Sequence, residues 1–192
     1  LIKNYYLKNR KILFCKINIM NILHDGSITL NKKKYKYKLF DTTGLIELIR
    51  HNNKFIVALE DAIKTYRNNK NFQIIDLVKE YIYYRPTDIT TYFIIYSKNI
   101  IISTARFYYN TTKKSAYFNM IYTNADYREQ KICYNNINFL INISKKYINK
   151  YELEVDVNNP AAIKCYENNG FKIIKKVNLG IDNEYYLMRL KI

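Results

Sequence analysis

Tryptophan is absent from this chain of 192 residues, glycine occurs four times, proline twice and cysteine three times. Cys15, Cys133 and Cys165 are an odd number at wide spacing, with no CxxC pair and no Cys/His set. That pattern excludes a metal framework of the usual spacings and points to reduced thiols in a cytoplasmic protein. No apolar run approaches the length of a bilayer span. Residues 11–23 are apolar-rich, but Lys16, Asn18 and Asn21 interrupt them and no small-residue cleavage site follows, so they do not read as a leader. The chain begins at Leu1, which leaves targeting unread. There is no internal repeat, and the Asn-rich patches are too short to count as low complexity.

Acid is the other shortage. Sixteen Asp and Glu face 32 Lys and Arg, for a net charge of +16. A surplus of that size attracts polyanions, nucleic acid first among them. The lysines are nevertheless dispersed, and the one run, Lys32, Lys33, Lys34, Lys36 and Lys38, is broken by tyrosines. Ile, Lys, Asn and Tyr make up about half of the chain, a skew of the kind AT-rich coding produces. The charge therefore reads first as a solvated surface, with steering of an anionic ligand and nucleic-acid binding as the competing readings. With 48% apolar residues the chain can bury a real core.

Residues 1–32 read as an extension, hairpin-like, with a turn at His24-Asp25-Gly26 and a returning strand at Ser27–Leu30. Residues 33–40 alternate as a strand, and Asp41-Thr42-Thr43 offers helix caps. Helical spacing follows over 55–67 and again over 72–84, where Arg85-Pro86 stops it. Three β-rich runs, 91–97, 100–109 and 115–123, are joined by short polar links and predict an antiparallel meander. A helix over 130–148, a strand at 152–157, a helix at 159–168 and two closing strands complete the order β-α-α-β-β-β-α-β-α-β-β.

Two segments carry chemistry. In residues 153–171 a strand runs into a helix at Asn159, with Pro160 in the first turn and Gly170 just past the end. Ala162 and Tyr166 share one helical face, and the small residue leaves room for a ligand under the tyrosine hydroxyl. An ordinary amphipathic helix with a core tyrosine fits the same spacing. In residues 121–134 a strand ends in a polar turn and a helix starts near Gln130. The free amides and positive dipole end there suit a pyrophosphate, with Arg128 and Lys131 adding charge. A plain strand–loop–helix joint is again the ordinary alternative.

Together, in this order, the two segments resemble the GNAT superfamily of acetyl-CoA-dependent N-acyltransferases. The family's Arg/Gln-x-x-Gly-x-Gly/Ala loop here reads Arg128-Glu129-Gln130-Lys131-Ile132-Cys133, after Tyr127. Its Asn-x-x-Ala-x-x-x-Tyr-x-x-x-Gly-Phe motif is complete in Asn159, Ala162, Tyr166, Gly170 and Phe171. The resemblance is best over residues 88–192 and extends to a domain at 33–192. It implies an α/β (α+β) fold, a mixed and mostly antiparallel sheet flanked by helices, with a splayed central strand pair. It also implies acetyl-CoA as co-substrate, no metal, and direct attack by a primary amine without a covalent enzyme intermediate. Backbone groups near Ile121 and Thr123 would bind the pantetheine and polarise the thioester carbonyl. Amides from Arg128 through Glu129, Gln130, Lys131, Ile132 and Cys133 to Tyr134 would hold the pyrophosphate. Asn159 would fix the pantetheine beside Ala162, and Tyr166 would protonate the departing thiolate or hydrogen-bond to it.

The departures are Lys131 and Cys133, which stand where the family has small residues. Glycine there lets backbone approach phosphate closely. Cys133, near a helix N-terminus, is a candidate for a lowered pKa, although the implied mechanism needs no thiol, and Cys165 is expected to pack. For the general base, Glu154 and Asp156 share one face of the second cleft strand. His24 and His51 lie outside the motifs and read as structural or surface residues. A GNAT-shaped binding module without catalysis is the second reading, and a basic nucleic-acid-binding protein the third, without a supporting signature. The acceptor reads as a small-molecule amine or a peptide N-terminus, because the positive charge disfavours polycations. No membrane partner is expected.

Overall fold

The structure is a computed structural model and describes residues 24–30, 32–51, 53–84, 89–110, 112–178 and 184–192. The apolar stretch at 11–23, Cys15, the first part of the expected extension and the Arg85-Pro86 helix stop lie outside the described residues.

Period-two alternation of tyrosines and isoleucines with polar residues builds the strands. Lys33–Asp41 (β2) buries Tyr35, Tyr37, Leu39 and Phe40 and leaves Lys33, Lys34 and Lys36 in solvent. Ahead of it, His24–Leu30 forms β1, paired antiparallel from His24↔Leu39 to Leu30↔Lys33. The expected turn at His24–Gly26 is therefore strand. Gly26 signals close approach, because a Cβ there would stand 2.5 Å from the Tyr37 ring.

Asp41 caps the next helix, its Oδ1 accepting from the Gly44 amide at 2.8 Å. Thr42–His51 (α1), Asn53–Arg67 (α2) and Ile75–Tyr84 (α3) follow. The last starts three residues later than expected, since Asp76 Oδ2 accepts from the Gln73 amide at 3.0 Å and fixes the entry turn. Ile89–Ser97 (β3), Ile100–Asn110 (β4) and Ser115–Thr123 (β5) form the meander. Then come Ile132–Ser144 (α4), Lys150–Asp156 (β6), Pro160–Asn168 (α5), Lys172–Asn178 (β7) and Glu184–Lys191 (β8).

One eight-stranded sheet results, in the order β1-β2-β3-β4-β5-β6-β8-β7. Among the described strands, only β5 and β6 pair in parallel. Residues of α4 and α5 close one face over Phe93, Phe107, Phe118, Tyr151 and Leu153. Residues of α1, α2 and α3 close the other over Phe40, Tyr92, Ile94 and Met120. This is the mixed, mostly antiparallel α/β architecture that the resemblance implies. No helix among the described residues is long and apolar enough to cross a membrane.

Candidate active site

The parallel ladder of β5 and β6 stops at Phe118↔Leu153. Beyond that point β5 pairs only with β4, and β6 only with β8. A bulge in β5 bends the strand away: Arg106 faces Asn119 while Thr104 already faces Tyr122, so β5 carries one extra residue. Met120 takes up the irregularity at φ 49°, a state that costs a side-chain-bearing residue about 1–2 kcal/mol. Thr104 holds it there, its Oγ1 donating to the Met120 carbonyl at 2.7 Å. Ser103 Oγ donates to the Tyr122 carbonyl at 2.7 Å, and Asn136 Nδ2 of α4 donates to Ser103 Oγ at 2.8 Å. The Asn124 amide reaches back to the Ile102 carbonyl at 2.9 Å. Tyr122 and Asn124 thus turn toward β4, and strand alternation turns the backbone of Ile121 and Thr123 into the gap.

At the mouth of that gap Ala125–Tyr127 makes one 3-10 turn, capped by Asn124 Oδ1. Arg128 is exposed and its Nε approaches the Thr123 carbonyl at 3.4 Å. Glu129 and Lys131 hold φ 60° and 57°. Lys131 caps α4 without a side-chain bond, and the first turn holds no acid. The helix therefore starts at Ile132, two residues later than expected, and the amides of its first turn have no side-chain cap. Gln130 Nε2 lies 3.5 Å from the Asp126 carbonyl. Cys133 and Tyr134 are half-buried in that first turn.

On α5, Asn159 Oδ1 accepts from the Ala162 amide at 3.1 Å, so the side chain expected to hold pantetheine is also the helix cap. Gly170, at φ 85°, ends the helix. The Phe171 amide reaches the Tyr166 carbonyl at 3.1 Å and the Gly170 amide the Glu167 carbonyl at 2.8 Å, a paired closure that needs the left-handed residue. Tyr166 is buried against Phe171, and that burial, with Tyr66 nearby, holds its phenol well above the ordinary value.

The expectation of separate, reduced cysteines is corrected. Cys133 of α4 and Cys165 of α5 form a disulfide with Cα atoms 6.3 Å apart. They are 32 residues apart in the chain, and the β6 crossover between α4 and α5 brings them together. Cys165 therefore bridges as well as packs. Ile132, Cys133, Ala162, Cys165 and Tyr166 belong to one packed cluster at the bridge.

The other face of the gap carries residues that sequence reasoning missed. Arg106, 4% exposed, donates from Nε to Asn119 Oδ1 at 2.8 Å and from Nη1 to Glu80 Oε2 at 3.0 Å. Arg67 grips the same Glu80 at 2.6 and 3.1 Å. Burial alone would raise the Glu80 carboxyl, but bonds and charges from Arg67 and Arg106 outweigh it and hold the group below its ordinary value. Tyr66 is partly exposed, yet its hydroxyl lies by Arg106, Arg67 and the Met120 backbone, and burial pushes the phenol up. Of the expected base candidates, Asp156 Oδ1 accepts from the Asn158 amide at 2.7 Å, whereas Glu154 is exposed with no partner among the described residues. Glu152, beside them, is gripped by Arg189 at 2.7 Å. A groove of about 700 Å³ lies along α2, lined by Val57, Asp61 and Ala62, and meets β5 at Tyr122.

A mixed sheet parted at a bulge, beside a helix whose first turn is uncapped, turns backbone groups and free amides toward one side, as an extended anionic ligand requires. The family described as Acetyltransferase (GNAT) family matches residues 56–171, more than half of the chain. The chain belongs to the GNAT family of acetyltransferases. It has the fold of a spermidine N-acetyltransferase chimera from Vibrio cholerae and hSSAT (TM-score 0.58, 18% identity, 71% of this chain and 88% of that one). It has the fold, too, of a chain of the NatC complex bound to Gag peptide and CoA (0.60, 18%, 81% and 97%). A third similar structure is yncA, a putative acetyltransferase from Salmonella typhimurium with its cofactor acetyl-CoA (0.56, 10%, 82% and 93%). The search of curated proteins finds no match.

Proposed function

We propose that this chain, through a domain at residues 33–192, transfers an acetyl group from acetyl-CoA to a primary amine. The observation that carries the reading is the end of the β5–β6 ladder at Phe118↔Leu153, which leaves the backbone of Ile121 and Thr123 facing a gap beside the uncapped start of α4. Acetyl-CoA supplies an activated thioester. Ile121 and Thr123 offer backbone groups to the pantetheine and to the thioester carbonyl, where negative charge develops. The segment from Arg128 to Tyr134 offers amides and two cations to the pyrophosphate. Asn159, whose oxygen caps α5, has its Nδ2 donors for the pantetheine. Tyr166 donates its hydroxyl to the departing thiolate. Glu154 takes the amine proton, being the carboxylate of the β6 face left without a partner among the described residues.

The groove along α2 bears on the acceptor. It presents Val57, Ala58, Ala62 and Ile100 with a single acid, Asp61, and a lysine, Lys54. That lining suits an amine on a neutral or apolar body, a small metabolite or a peptide N-terminus, and it lacks the acids a polyamine would require.

The test is calorimetric titration of the reduced chain with acetyl-CoA at moderate and raised salt, followed by thiol release with an amine panel. Micromolar binding that survives raised salt, with turnover, is the expected result. A binding module without catalysis is the second reading, favoured by Lys131 in a glycine position; binding without turnover of any amine would establish it. Absence of binding at both salts would remove both readings.

A further inference from the structure

Two half-exposed cysteines join the two helices that flank the proposed acetyl-CoA slot. Cys133 lies in the first turn of α4, whose amides would hold the pyrophosphate. Cys165 adjoins Tyr166 and lies one helical turn from Ala162, which would face the pantetheine. A chain threaded between two walls must stand about 4 Å from the atoms of each, so the walls must be about 8 Å apart. Here the Cα atoms are 6.3 Å apart. Room is also lacking beneath the bridge, where Ile132, Tyr166 and Phe171 are 2%, 6% and 2% exposed.

We propose that the Cys133–Cys165 disulfide is a reversible clasp that shuts the acetyl-CoA slot when formed and opens it when reduced. The inference rests on the acetyl-CoA reading above. Closing the clasp removes two electrons and two protons from the thiols. A low-molecular-weight disulfide of the glutathione class accepts them and leaves as two thiols, and reduction runs the exchange backwards. Both sulfurs belong to half-buried residues within reach of such a reagent, and the helix start at Cys133 favours the attacking thiolate. In a cytoplasm that keeps thiols reduced the slot stands open, and oxidative stress closes it.

The full chain carrying Cys15→Ser, which keeps only this pair, is equilibrated with oxidised glutathione or with a phosphine reductant. Mass spectrometry reads the loss of two hydrogens, and calorimetry reads acetyl-CoA affinity. The reduced form is expected to bind at least about tenfold more tightly, a difference of about 1.4 kcal/mol, and reduction of the oxidised sample restores it. The Cys15→Ser chain further carrying Cys165→Ser, which can form no internal bridge, is expected to bind in oxidised buffer as the reduced chain does, its mass checked for adducts. Equal affinity of bridged and reduced chains overturns the clasp and leaves the acetyl-CoA reading intact, as does failure of the bridge to form. No binding by the reduced chain or by Cys165→Ser overturns the acetyl-CoA reading and the clasp with it. The comparison of one chain with itself in two redox states does not depend on any bridge variant folding.

Discussion

Lys131 holds φ 57° at the cap of α4, a backbone state that glycine adopts freely and that crowds the Cβ of a lysine. The loop thus keeps the shape of a glycine-bearing loop without the glycine. Lys131→Gly is expected to stabilise the chain by about 1 kcal/mol, read from denaturant unfolding. The same variant removes a cation from the proposed pyrophosphate site, so the salt dependence of acetyl-CoA affinity should become shallower. A loss of stability would mean that the lysine side chain packs where no contact is visible. Tyr166 poses a different question. Burial, and then Tyr66, hold its phenol above the ordinary 10.0, so it stays protonated through the neutral range. An ordinary thiol titrates near 8.5, so handing a proton to the thiolate outright runs uphill and a hydrogen bond is the stronger reading. Tyr166→Phe should lower kcat by about 100-fold while acetyl-CoA affinity holds. A fall in affinity with unchanged kcat would make Tyr166 a packing residue.

Glu80 ties three elements together, standing on α3 and receiving Arg67 from α2 and Arg106 from β4. Because Arg106 is 4% exposed, removing its carboxylate strands a buried cation. Glu80→Gln is expected to cost about 3 kcal/mol at neutral pH. The folded carboxyl titrates below its ordinary 4.5, so its contribution is complete above that value and is lost as pH falls through the folded value. Unfolding curves of the wild type and the variant should therefore stand apart at neutral pH and converge at acid pH. Parallel curves would mean the pair contributes nothing through its charge. None of this cluster was legible in the sequence, because Glu80, Arg67 and Arg106 meet only through the packing of helices on the sheet. The segment from Asn159 to Phe171 was legible because each residue acts locally: an asparagine caps, a proline starts, a left-handed glycine ends the helix. The bulge was not, since no local signal marks Met120 as left-handed and its cause lies in Thr104 on the neighbouring strand. Gly26 misled in the opposite sense, reading as a turn while serving the Tyr37 ring. Tyr66 is one of 21 tyrosines, and only the fold sets its hydroxyl beside Met120.

The net charge of +16 acts on the whole molecule. Most of its described lysines stand at exposed positions, among them Lys33, Lys34 and Lys36 on β2 and Lys172, Lys175 and Lys176 on β7 at the sheet edge, where the last three also discourage strand addition. Spread charge of this kind gives a long-range field rather than a contiguous basic patch among the described residues. A field draws in an anion such as acetyl-CoA faster but does little to hold it once bound, because the contacts that hold it are short-ranged and poorly screened. Raising salt from about 0.1 M to about 1 M shortens the screening length from about 10 Å to about 3 Å. Stopped-flow mixing of the reduced chain with acetyl-CoA should then show the association rate falling by about tenfold, with a much smaller change in dissociation. Should dissociation carry the salt dependence instead, the work falls to cations at contact, Arg128 and Lys131, and the dispersed lysines are a solvated surface. A random oligonucleotide separates the remaining case: binding that persists at the higher salt would require a nucleic-acid surface that the scattered lysines do not supply.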